Sequence, residues 1–290
     1  MIPAAICLAL ASALFYAISA VLQEREASKQ EDAGGLALLG RLARRRGWWA
    51  AVLATLVGAS LHLCALAAGP LVVVQPLGVS CLAIALVIGS RVHRTPVGRR
   101  SWIGAACVVL GLPAVLAAVP HHAGGPLHPT EDALGFVPVT AIVAGLVVLA
   151  TLAAVILGRS RPRAEVICYA LGAAMCFGVA STTAKTLFLG HFGPIRLGVM
   201  IVAALLGTLL AQHAYRDGGL GAPLAVLTLM DPVTAGAMGV LVLGEPFGAT
   251  PLALVFGVVG ALVTATGVVL LSVRKHPGPV RPEPVLAGTG

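Results

Sequence analysis

Asp231 is the only charged residue in the apolar run 222–244, "APLAVLTLMDPVTAGAMGVLVLG", and Pro232 follows it directly. A carboxylate at the centre of a lipid-embedded helix costs ~2.5–3.5 kcal/mol on insertion-based scales. That cost points to a water-filled cavity, a cation partner or a bound proton. The chemistry such a group offers is exchange of a proton, or of a cationic solute, across the membrane. Proline removes a backbone donor, so the carbonyl of Thr228 loses its helical partner. Asp before Pro also suits a fresh helix start, with Asp as cap and Pro at the first helical position. Gln75-Pro76 repeats the arrangement and frees the carbonyl of Val72. Pro76 and Pro232 are therefore expected to break their helices, which is tolerated at membrane depth where protein or water satisfies the freed groups.

The other polar groups are fewer. His62 sits mid-span in "GASLHLCALA" and, with Gln75, is expected as a neutral partner of Asp231 in a solute or ion pathway. Tyr16 can line the same cavity or simply pack. Lys185 and Glu245 fall at the same ends of neighbouring spans and are able to pair. Gln212 and His213, near the end of their span, suit the interface. His121, His122 and His128 share a Gly/Pro-rich loop with no carboxylate at fixed spacing, which reads as a solvated loop rather than a metal site. The six cysteines all fall inside apolar runs with no CxxC, as buried packing residues do. No nucleophile–base pair or metal cluster is apparent, so neither an enzyme nor a cofactor is expected.

The elements that must position these groups follow from composition. The chain has 290 residues, of which 58% are hydrophobic and 10% charged, against about a quarter charged in a soluble domain. Runs near the ~20 residues that span a bilayer as helix recur throughout. The fold class expected is all-α, a polytopic bundle with spans at 2–22, 48–68, 71–90, 101–119, 133–158, 166–189, 194–214, 222–244 and 251–272. With the N-terminus outside, 17 of the 19 Lys and Arg residues fall on the inner side, and only Lys185 and Arg196 lie at the outer side. Positive charge in the loops marks the cytoplasmic face, so the C-terminus is expected inside a cell membrane. The net charge of +8 is then a topology signal and implies no nucleic-acid partner. The loop 23–47 reads as a solvated connector of mixed charge, with "RLARRRGWW" attracted to anionic headgroups. Trp48, Trp49 and Trp102 suit the interface.

The sequence also resembles itself. "ALASALFYAISA" (9–20) aligns with "ALGAAMCFGVAS" (170–181), and "LATLVGASLHLCA" (53–65) with "VAALLGTLLAQHA" (202–214). Gln75-Pro76 matches Asp231-Pro232, and Gly104 and Gly111 share the spacing of Gly260 and Gly267. Residues 1–120 then form one four-span repeat, 121–165 a linking span, 166–273 a second repeat and 274–290 a cytoplasmic tail. Four spans plus one linking span start the second repeat from the opposite face, giving the inverted arrangement common in secondary transporters.

The segments 47–90 and 227–248 carry a Trp-Trp opening, an "Ala-Gly-Pro…Gln-Pro-Leu-Gly" hairpin and a "Pro…Gly-Glu…Pro…Gly" run. In these the chain resembles the drug/metabolite transporter superfamily, in its EamA-like and NIPA-type magnesium-transporter branches. The resemblance implies alternating-access transport of a small polar or ionic solute, with magnesium or another divalent cation as an alternative cargo. Ala59 and His62 stand where the NIPA-type pattern has an acidic residue and an Asn. A membrane subunit without transport is the remaining reading.

Overall fold

The computed structural model describes residues 2–30, 35–68, 71–94, 96–118, 133–158, 160–188, 192–243 and 250–272. In lipid, every backbone donor and acceptor must be satisfied within the segment or by a closed sheet, and the apolar runs answer with helices. Ten are formed, and no strand occurs among the described residues. They are α1 (Ile2–Ala27), α2 (Gly35–Ala43), α3 (Arg46–Ala68), α4 (Leu71–Val92) and α5 (Arg99–Ala118), then α6 (Ala133–Gly158), α7 (Pro162–Phe188), α8 (Pro194–Gly218), α9 (Gly221–Leu243) and α10 (Pro251–Ser272).

Among the described residues, five helices are long and apolar enough to cross a membrane: α1, α6, α7, α8 and α10. Shorter apolar stretches, Ser80–Val92 in α4 and Gly221–Met230 in α9, accompany them. The chain is thus an all-helical, membrane-embedded protein.

Two expectations change here. The segment 23–47 is no simple connector: α1 continues to Ala27, and α2 folds beyond it. Leu38 and Leu42 of α2 are fully buried against Trp48, so Trp48 serves a small core of its own. The prolines also behave differently from expectation. Helix runs through position 76 in α4 and through position 232 in α9. Proline is tolerated inside a transmembrane helix where surrounding groups can satisfy the freed carbonyl.

The packing has a plain order. Helix α1 packs on α3 and α4, α7 packs on α8 and α9, and α5 packs on α10; α6 leans mainly on α7. The α5/α10 contact depends on glycine, because small residues let helices approach closely in lipid. A Cβ on Gly104 would lie 2.9 Å from the Gly267 carbonyl oxygen, and one on Gly267 2.6 Å from that of Gly104. Gly111 and Gly260 meet the same way, at 2.7 and 2.6 Å. Position 104 faces 267 while 111 faces 260, so α5 and α10 run antiparallel.

One end of the bundle gathers the C-terminal ends of α1, α4, α8 and α10 with the starts of α3, α5, α7 and α9. Contacts of Glu24 with His93, Gln23 with Gln212, Gly89 with Leu220 and Gly221 with Leu271 fix this arrangement. Arg25, Arg41, Arg44, Arg45, Arg46, Arg91, Arg99, Arg100, Arg163 and Arg216 all sit at these helix ends. We call it the basic end.

Candidate functional site

The residues singled out in the sequence divide into two groups. Asp231, Gln75 and Lys185 lie in the helical backbone of α9, α4 and α7. Their side chains, and Glu245 and the histidine loop altogether, lie outside the described residues. Helices α4 and α9, which carry Gln75 and Asp231, touch each other. The expected Lys185–Glu245 pair likewise falls outside. His62 is half-buried in α3. Tyr16 is half-buried in α1, where its backbone nitrogen and ring lie 3.3 Å from a Cβ placed on Gly58. That close approach serves packing between α1 and α3.

The polar groups the structure does bring together form a seam at the basic end. Ser12, Tyr16, Ser19 and Gln23 follow one another on α1 at spacings of four, three and four residues, which places them on one helix face. Ser12 Oγ donates to the Gly58 carbonyl at 2.8 Å, and Ser19 Oγ to that of Ala51 at 2.8 Å. Thr55 Oγ1 lies 2.6 Å from Ser19 Oγ, and the Gln23 amide donates to Ser19 Oγ at 2.9 Å. The chain of bonds then crosses to α8, where Gln212 Nε2 donates to Gln23 Oε1 at 2.7 Å.

Gln212 is 0% exposed and His213 only 7%. Both were expected at the interface, and both are interior. The physical reason is that α8 packs its last turns against α1 and α7, so its end is enclosed by helices. His213 Nδ1 lies 2.9 Å from the Leu209 carbonyl, a geometry that requires it to donate. Its Nε2 then accepts from the Gly35 N–H at 3.1 Å. The two roles together define a neutral imidazole with its proton on Nδ1. Gly35 has φ +57°, a left-handed conformation that glycine adopts without a Cβ penalty, and this turns its N–H toward α8. Gln212 Oε1 finds no partner among the described residues.

Further side-chain contacts extend the seam. Glu24 is bonded to His93 Nε2 at 2.8 Å, tying α1 to the end of α4. The buried Glu26 carboxylate takes Lys29 at 2.7 Å and Arg45 at 3.4 Å. It also approaches the start of α3 closely, since a Cβ on Gly47 would lie 2.8 Å from Glu26 Oε1. Among the described residues, no group of three or more His, Cys, Asp or Glu side chains converges in a metal-binding arrangement. The seam ties α1 and the start of α2 to the end of α8 through side-chain hydrogen bonds. The seam was missed in the sequence because its members are single polar residues, each isolated in an apolar run. The regular spacing along α1 was the available signal.

Apolar helices packed through glycine, a cluster of arginines at one end and a buried polar seam define a polytopic helical membrane protein. No family model and no solved structure matches the chain. It is 31% identical over 263 residues to an uncharacterized protein of Corynebacterium glutamicum, a match that spans 84% of this chain and 86% of the relative. The chain belongs to the same family as that protein.

Proposed function

We propose that this protein is a transporter of the drug/metabolite type, moving a small polar or ionic solute by alternating access of two inverted halves. The halves are α1 with α3–α5, and α7–α10; α6 links them. The observation that carries this reading is the antiparallel crossing of α5 and α10. The internal alignment equates Gly104 with Gly260 and Gly111 with Gly267, and the contacts pair Gly104 with Gly267 and Gly111 with Gly260. Each contact is thus converted into the other by exchanging the halves, as a two-fold axis across the helices requires. Such an axis lies in the membrane plane and inverts the second half.

Two further features agree. The set of helix neighbours is the same in both halves, with α1 on α3 and α4 matching α7 on α8 and α9. The alignment also equates Tyr16 with Phe177 and Gly58 with Gly207. Tyr16 packs on Gly58, and the Phe177 ring lies 2.9 Å from a Cβ placed on Gly207. With the basic end cytoplasmic by the charge rule, the N-terminus is outside and the α1/α8 seam is the inner closure. The alignment equates Gln23 and Gln212 with Ala184 and Leu63, neither of which has a polar side chain to form such a bond. The halves therefore part at the basic end only by breaking Gln23–Gln212 and Gly35–His213. Asp231 is the charged element of the pathway, with Gln75 and His62 as neutral partners, and proton exchange at Asp231 drives the cycle.

The test is current from proteoliposomes on a solid-supported membrane, comparing wild type with Asp231→Asn. The panel holds magnesium, other divalents, small amines, amino acids and a pH step. A solute-evoked current lost in Asp231→Asn is the expected result. A current of full size in the variant would remove Asp231 from the coupling. Silence of folded wild-type protein toward every solute, with no uptake of labelled solute either, would favour a non-transporting membrane subunit.

A further inference from the structure

We propose that α2 and the first turn of α3 form a docking surface for the headgroups of anionic phospholipids. Its place in the chain puts it at the membrane–water boundary. Helix α1 ends at Ala27 and α3 begins at Arg46, and α2 lies between these two ends while touching α1, α3 and α8. Leu38 and Leu42 anchor it to Trp48, so its remaining faces point away from the bundle.

Those faces combine cations with apolar groups. Arg41, Arg44, Arg45 and Arg46 are all exposed. Arg45 is engaged by Glu26, whereas Arg41, Arg44 and Arg46 form no ion pair with a described residue. Leu36 is 78% exposed and Trp49 55% exposed. The Trp49 indole donates to the Ala43 carbonyl at 2.8 Å, which fixes the ring beside the arginines with its apolar edge outward. Arginine forks match phosphate geometry, and exposed Leu and Trp beside them suit the boundary of headgroup and acyl chain. Zwitterionic lipid would satisfy the apolar groups alone. Three cations within six residues, none ion-paired among the described residues, specify a negatively charged headgroup. The proposal does not depend on transport.

The experiment uses the full chain carrying Trp102→Phe, in phosphatidylcholine vesicles with a minor fraction of acyl-brominated lipid. The brominated lipid is either phosphatidylglycerol or phosphatidylcholine, at equal ionic strength. Brominated phosphatidylglycerol is expected to quench the joint emission of Trp48 and Trp49 much more strongly. The triple variant Arg41→Gln/Arg44→Gln/Arg46→Gln should lose roughly a hundredfold of that preference, on the basis of the attraction exerted by each cation near a charged surface. Arg99→Gln/Arg100→Gln, a basic pair at the start of α5, should keep it. Equal quenching by both lipids in the parent protein, or a preference retained in the triple variant, would overturn the proposal. So would a preference abolished by inorganic phosphate at matched ionic strength, because the site would then be one for free phosphate. If the triple variant fails to fold, the single changes Arg41→Gln and Arg44→Gln serve, each expected to lower the preference several-fold.

Discussion

Gln23 and Gln212 are long, polar side chains joined by one bond, from Gln212 Nε2 to Gln23 Oε1, with Gln212 fully buried. The asymmetry of buried hydrogen bonds follows: losing one partner strands the other, whereas losing both leaves nothing stranded. Gln212→Leu alone should therefore cost about 1–3 kcal/mol, read as a lower melting temperature in detergent. The double variant Gln23→Leu/Gln212→Leu should recover most of that loss. A double variant less stable than either single one would show that the pair matters through some other contact. Gly35 offers a second residue-level prediction. With φ at +57°, Gly35→Ala strains the backbone by roughly 1–2 kcal/mol and loosens α2 from His213. Faster proteolysis within 28–46, with the bundle otherwise intact, is the expected result.

At the level of elements, the α5/α10 pair tolerates no side chain at its crossing. Gly260→Leu places a branched chain where Ala114 and the Gly111 carbonyl already lie within 2.7 Å of a Cβ. Overpacking of this kind costs typically 1–3 kcal/mol, and more where backbone blocks relaxation. Gly145→Ala in α6, with nothing within 4 Å, should be neutral in the same thermal assay. The elements also show what a sequence reader can and cannot see. The run forming α6 is apolar all round and nearly unbroken, so its existence and limits, 133–158, are legible from hydropathy alone. Helix α2 was not legible. Its nine residues lie between acidic and basic clusters, and the segment as a whole reads as solvated charge. Only Trp48, supplied by the next helix, gives Leu38 and Leu42 something to bury against. The glycine spacing shared by α5 and α10 was visible, but spacing alone does not reveal that the two sets face each other. The burial of Gln212 and His213 was hidden for a related reason: it depends on which helices enclose the end of α8.

For the whole molecule, the seam at the basic end and the absence of its counterpart in the internal alignment make the two ends unequal. With the six native cysteines replaced, Gln23→Cys and Gln212→Cys should be joined by a short bifunctional methanethiosulfonate, which replaces the length of the two glutamine side chains that meet there and spans more than a direct disulfide can. On the proposed cycle this cross-link stops solute movement, and reduction restores it. Movement undiminished by a complete cross-link would show that α1 and α8 stay together throughout.

The α5/α10 contact has one more consequence, for the making of the protein. Gly104 and Gly267 belong to helices far apart in the order of synthesis. At ~5–20 residues per second, roughly ten to thirty seconds separate their emergence from the ribosome. During that interval α5 waits in the bilayer with Gly104 and Gly111 uncovered until α10 is made. A nascent chain that stalls before Pro251 is left with an unfilled groove along α5, the kind of surface membrane quality-control proteases and wrong neighbours can engage.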